Sequence, residues 1–222
     1  MVAAAAWGQS SPLDADVAAK CPEAVREAAE LRNRARPRPV PATVTRPALR
    51  HNLLLMAKHD QEARAFLRST GSRIDPATPE GVRLREVDSA NLKRLKHIVA
   101  QDGFPTAEMV GLDGVDAAWT LTIHAAADPD FREKVLEMTA AHVRRGEIRG
   151  DQVATLTDDV LRGRGKKQRS GTEFEIHEGE LRPFPIEDEG TVDERRRAVG
   201  LGTLANYTCF IRALYGVPAA KL

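Results

Sequence analysis

The chain has 222 residues, with 33 Lys and Arg against 32 Asp and Glu and a formal net charge of +1. That length fits one domain of ordinary size with room for an appendage. A 42% hydrophobic share supplies a core and excludes disorder along the whole chain, while the near-zero charge and the 5% aromatic share argue against a nucleic-acid partner. No apolar run approaches the ~20 residues that cross a bilayer, so no membrane span is expected.

The first ten residues, Met1 to Ser10, look like the end of a signal peptide: an apolar stretch and small residues, then polar sequence. The basic start and most of the apolar stretch of such a peptide are missing. The reading favoured is a periplasmic or otherwise exported protein, with the cytoplasm as the alternative. Cys21 and Cys209 stand near opposite ends. They are either two isolated thiols or a disulfide, and only an oxidising compartment permits the bond.

Residues 22–35 read as a short helix with Pro22 in its first turn. Pro37, Pro39, Pro41 and Pro47 then favour an extended connector. Residues 1–46 are thus expected to be an N-terminal segment, with a helical arm and a proline-rich linker, ahead of a main domain at 47–216. The main domain opens on a helix with Thr45 as its cap and Pro47 in its first turn, followed by a loop at 70–80. A helix starting at Asp88 or Ser89 ends at Gly103. The segment 114–127 is apolar nearly all round, which marks a buried helix. Asp128 caps the next, closing at Gly146, and residues 151–161 form another. Glycines break up 163–190, where Phe174–His177 and Leu181–Phe184 alternate around a turn and predict a hairpin within about 172–184. Helices follow Thr191 and over about 203–215. The fold class expected is mainly α, a multi-helix globular domain with one small β-hairpin.

Phosphate loops, nucleophile elbows, metalloprotease helices and C-x-x-C pairs are all missing from the sequence. The chain therefore predicts no cofactor and no metal site. Six histidines are present, none paired with another at the i, i+4 spacing of two ligands on one helical face. His124 differs from the rest because it sits in the apolar helix. Burial favours the neutral imidazole, which accepts a proton near neutral pH and suits a general base. The other reading is a core histidine bonded to backbone or to Thr120 or Thr122. Asp60, late in the 47–69 helix, would fix the tautomer of His124 if it faced that ring; otherwise it is solvated.

The ordered series Asp60-Gln61, Gly103-Phe104-Pro105-Thr106, Val110-Gly111, Ala117-Ala118-Trp119, His124, Asp128, Leu156-Thr157-Asp158, Gln168, Gly171-Thr172, Pro185-Ile186-Glu187-Asp188 and Val192-Asp193-x-Arg195-Arg196 resembles the bacterial domain of unknown function 6624 family over about residues 47–210. The resemblance implies a polar set: Asp60, Gln61, His124, Asp158, Gln168, Thr172 and Asp188. His124 and Asp60 are then the candidate catalytic pair, and Gln61, Trp119, Asp158, Gln168, Thr172 and Asp188 the candidate substrate-binding residues. The chain departs from the family pattern at Ile123, Ala126, Ser170 and Glu173, where apolar or different polar groups replace expected ones. Two functions compete. One is a hydrolase or group-transfer enzyme acting on a small polar ligand, with the hairpin as a lid. The other is a non-catalytic cell-envelope binding or immunity-type protein that takes a protein partner.

Overall fold

Helix starts in this chain are written by proline and by short polar caps. A computed structural model describes residues 15–34, 37–38, 40–70, 77–214 and 216–217. The signal-like stretch, residues 71–76 of the expected loop, and Arg36 and Pro39 of the linker lie outside the described residues. In chain order the elements are helices α1 (Ala15–Lys20), α2 (Pro22–Arg34), α3 (Pro47–Thr70), α4 (Pro79–Asp102), α5 (Ala107–His124), α6 (Pro129–Arg144) and α7 (Gly150–Gly163), strands β1 (Phe174–His177) and β2 (Glu180–Pro183), a 3-10 turn (Glu189–Thr191), and helices α8 (Val192–Ala198) and α9 (Leu204–Leu214). The chain is mainly α with one two-stranded antiparallel hairpin.

Four of the helices begin on proline, whose missing N–H costs nothing in a first turn. Thr78 Oγ1 accepts from Gly81 N–H at 3.1 Å, so Thr78-Pro79, expected in a loop, instead starts α4 nine residues before Asp88. Asp128 caps α6 as expected, accepting from Phe131 N–H at 2.9 Å. Thr45 is not a cap. Its N–H and Oγ1 both donate to the Glu108 carbonyl, at 3.0 and 3.1 Å.

The residues divide into two compact units. One consists of Pro37–Ile148 and so contains α3 to α6; the other joins the chain up to residue 36 with Arg149–Leu222. In the Pro37–Ile148 unit, α3 and α5 pack along each other and both meet α4. Leu53, Met56, Leu95, Val99, Val110, Val115, Ala118, Leu121, Phe131 and Val135 are buried there. Helix α5 starts at Ala107 rather than 114, and it is interrupted at Gly111, where φ is +72°. A Cβ at that glycine would come within 2.7 Å of Asp113 Oδ1, the carboxylate that holds Arg50.

The other unit has its own core, in which Cys21 and Ala24 pack with Phe174, Leu181, Tyr207, Phe210 and Ile211. The helix read from sequence as an arm is therefore part of a core, and the division differs from the one expected near residue 46. Cys21 and Cys209 form a disulfide. Glu27 of α2 accepts from Thr203 N–H at 3.0 Å and from Asn206 Nδ2 at 2.8 Å, filling donors at the start of α9. The hairpin turns on Glu178 and Gly179, both with positive φ. Phe174 and Leu181 face the core, while Glu175, Ile176 and His177 of β1 and Glu180 and Arg182 of β2 are exposed.

A charged cluster closes the Pro37–Ile148 unit. Buried Glu147 accepts from Ala107 N–H at 3.0 Å and from Arg145, and its Oε2 lies 2.8 Å from His142 Nδ1. Arg38 of the proline-rich run donates to the Glu147 carbonyl at 2.6 Å and to Asp116. Burial holds His142 below the ordinary imidazole range despite Glu147. Burial pushes the Glu147 carboxyl up, but hydrogen bonds from Arg145 and Ala107 N–H outweigh it and leave it below the usual range. Both groups bind protons less tightly when folded than when unfolded. The stability they contribute is present above the unfolded pKa values, 6.5 and 4.5, and is lost as pH falls below them, His142 first. Thermal unfolding from neutral pH down to about 5 should show a falling midpoint, and His142→Gln should flatten that slope. An unchanged slope in the variant would refute the assignment.

Candidate functional site

Leu53, Met56, Asp60 and Ala63 are all buried at helical spacing on α3. Asp60 thus stands in the apolar stripe, where a carboxylate must be given donors. Gln61 Nε2 donates to Asp60 Oδ2 at 2.9 Å. His124 Nδ1 lies 2.9 and 2.8 Å from the two carboxylate oxygens. One turn on, Arg64 places a terminal nitrogen 3.3 Å from Asp60 Oδ1 and 2.6 Å from Asp88 Oδ1 of α4. Its Nε lies 3.0 Å from the same His124 Nδ1.

These side chains differ in access to water. Asp60 is fully buried, whereas His124 and Asp88 keep 25% and 28% of their side-chain surface. His124 ends α5 rather than sitting inside a longer helix, which is why its ring reaches solvent. No described residue partners its Nε2. A ring that donates Nδ1–H to a carboxylate carries its lone pair on Nε2, and that pair is free to take a proton. Burial raises the Asp88 carboxyl above its ordinary range, with Arg64 opposing. Two carboxylates here face one guanidinium, so a proton arriving on His124 restores charge balance.

In the other unit, a second buried carboxylate organises a loop. Asp158 of α7 accepts from the backbone N–H groups of Arg169, Ser170 and Thr172 at 2.7 to 3.0 Å, and from Thr172 Oγ1 at 3.0 Å. Gln168 is buried too. It donates to the carbonyls of Glu173 and Phe184 and accepts from Glu173 N–H at 2.7 Å. Fully buried Arg196 donates to the carbonyls of Gly202 and Ser170, each at 2.6 Å, and lies over the Tyr207 ring. The peptide groups of 169–172 are gripped by an anion from one side and by a cation from the other.

Asp60, Gln61 and His124 come together in one unit; Asp158, Gln168 and Thr172 come together in the other. Trp119 is 2% exposed and packs edge-on against Phe104, with no hydrogen-bond partner for its indole N–H. Asp188 is exposed, adopts positive φ and accepts from Thr191 Oγ1 at 2.7 Å. Of the departures from the family pattern, Ile123 and Ala126 flank His124 on the exposed side. Ser170 and Glu173 are buried, and their backbone groups serve the clamp. Arg64 and Asp88 escaped the sequence reading. The i, i+4 spacing of Asp60 and Arg64 was the available signal for the first; Asp88, on a different helix, offered none.

Residues 47–220 match the model of a family of unknown function, DUF6624. The chain belongs to this family. No curated protein and no solved structure matches it. The match begins at the first residue of α3, so α1, α2 and Cys21 precede it, while Cys209 lies within it. Both carboxylate clusters fall inside the family segment.

Replacing Asp158 with Ala would leave buried N–H groups of Ser170 and Thr172 without acceptors. At 1–3 kcal/mol for each such group, the loss should be about 3 kcal/mol or more. The urea midpoint of Asp158→Ala should fall accordingly, with faster amide exchange at 169–172. A midpoint within about 0.5 kcal/mol of wild type would contradict the clamp.

Proposed function

We propose that His124, oriented by Asp60, is a proton-transfer centre and that the protein is a hydrolase or group-transfer enzyme acting on a small polar substrate. The observation that carries this is the 2.8 Å approach of His124 Nδ1 to a carboxylate with no access to water. Such a partner fixes the ring and stabilises its protonated form without itself exchanging with solvent. Nε2 acts as general base towards a substrate hydroxyl, amine or bound water, then returns the proton as general acid. Gln61 is the binding residue nearest the centre, since its amide already bonds Asp60. Asp158, Gln168 and Thr172 hold the 168–173 loop in shape rather than touching substrate, because their side-chain groups are bonded inside the protein. Trp119 supports α5 from within, and Asp188 is the exposed candidate for a polar ligand.

A panel of chromogenic esters, phosphates and amides tests this. Turnover by the wild type should fall about 10²- to 10⁴-fold in His124→Ala. Equal turnover in the variant, for every substrate the wild type accepts, would remove the assignment. No turnover by the wild type on any of these substrates would favour the alternative, a non-catalytic interaction protein of the cell envelope. That alternative draws support from the exposed face of α4 that carries Val82, Arg85, Glu86, Ser89, Ala90 and Lys93.

We further propose that the chain works in an exported, oxidising compartment. The Cys21–Cys209 disulfide supports this, since thiols of the reducing cytosol rarely stay paired. Mass spectrometry of chain recovered from its native cells should show it two hydrogens lighter before reduction than after. Equal masses would place it in a reducing environment.

A further inference from the structure

His124 Nδ1 is claimed by two opposite demands. Asp60, a buried carboxylate, needs a proton on that nitrogen, 2.8 Å away. Arg64 needs a lone pair there, because its Nε–H is a permanent donor and lies 3.0 Å from the same atom. One ring nitrogen carries either a proton or a lone pair. In either neutral form of the ring, therefore, one contact is attractive and the other repulsive. Arg64 cannot easily swing away, since its terminal nitrogen is held by Asp88 at 2.6 Å and faces Asp60 at 3.3 Å.

We propose that Arg64 is a positioning residue that competes with Asp60 for Nδ1 and so keeps neutral His124 poised between two tautomers. With the proton on Nδ1, bonded to Asp60, the ring offers a lone pair at Nε2 and acts as a base. With the proton on Nε2, Nδ1 accepts from Arg64 and the ring offers a donor. The exchange moves one proton from Nδ1 to Nε2 through solvent, with no net gain or loss. One uncharged imidazole can then either accept or donate a hydrogen bond at the same outward atom. The inference rests on the proton-transfer reading for its use, but the tautomer balance itself belongs to the resting protein.

Nitrogen-15 NMR of the full chain, labelled at histidine and held above the pH at which the ring titrates, reads the balance directly. A protonated ring nitrogen resonates far upfield of a bare one. The wild type should give intermediate shifts for both nitrogens of His124. Arg64→Lys keeps a positive charge for Asp60 and Asp88 but has no Nε–H, and it should move the ring to the Nδ1-protonated form. Arg64→Met should do the same, and the lysine variant decides alone if the methionine variant does not fold. Asp60→Asn should change the balance in the opposite direction. A single tautomer in the wild type, or a wild-type balance in Arg64→Lys, would overturn the proposal. Absence of turnover on every substrate would end the proton-transfer reading and leave this result standing.

Discussion

A carboxylate cut off from water has to be supplied with hydrogen-bond donors, and among the described residues of the family segment Asp60 and Asp158 are buried completely. Asp60 takes its donors from side chains: an amide, an imidazole and a guanidinium. Asp158 takes them mostly from backbone N–H groups. The difference decides what each can do. Backbone donors have no second protonation state, so the Asp158 cluster fixes a shape. An imidazole has one, so the Asp60 cluster can pass a proton on. Each carboxylate costs desolvation energy that a leucine of similar size would not, and full pairing is what makes either tolerable.

The helical class and the hairpin were legible because periodicity and turn chemistry are local. Asp128 capped its helix as the pattern indicated, and the hairpin turn fell at Glu178-Gly179. Helix starts were less legible where a loop signal doubled as a cap: Thr78-Pro79 reads as a break but opens α4. Helix α5 hid its first turn behind Gly111, whose positive φ interrupts the ladder without ending the element. The place of α2 in a core depends on a partner helix 180 residues downstream, which no local pattern records.

Within the candidate site, the same boundary between local and distant information holds. Asp60 could be read as a polar residue in an apolar stripe, and His124 as a histidine on a greasy helix. Their meeting required α3 and α5 to pack side by side, which the sequence only permits. Arg64 was within reach of a spacing argument from Asp60, while Asp88 arrives on a third helix. For Asp158, Gln168 and Thr172 the polar character was visible, but its direction was not. These groups turn inward to hold the peptide backbone between α7 and the hairpin.

The covalent link between Cys21 and Cys209 encloses nearly the whole molecule in one ring, with the entire Pro37–Ile148 unit inserted between the two sulfurs. A protease that cuts anywhere inside that ring opens it without separating the pieces. The nicked product keeps its mass, apart from one added water, until a thiol reagent is supplied. A cleavage in the α3–α4 connection would therefore pass unseen on a non-reducing gel.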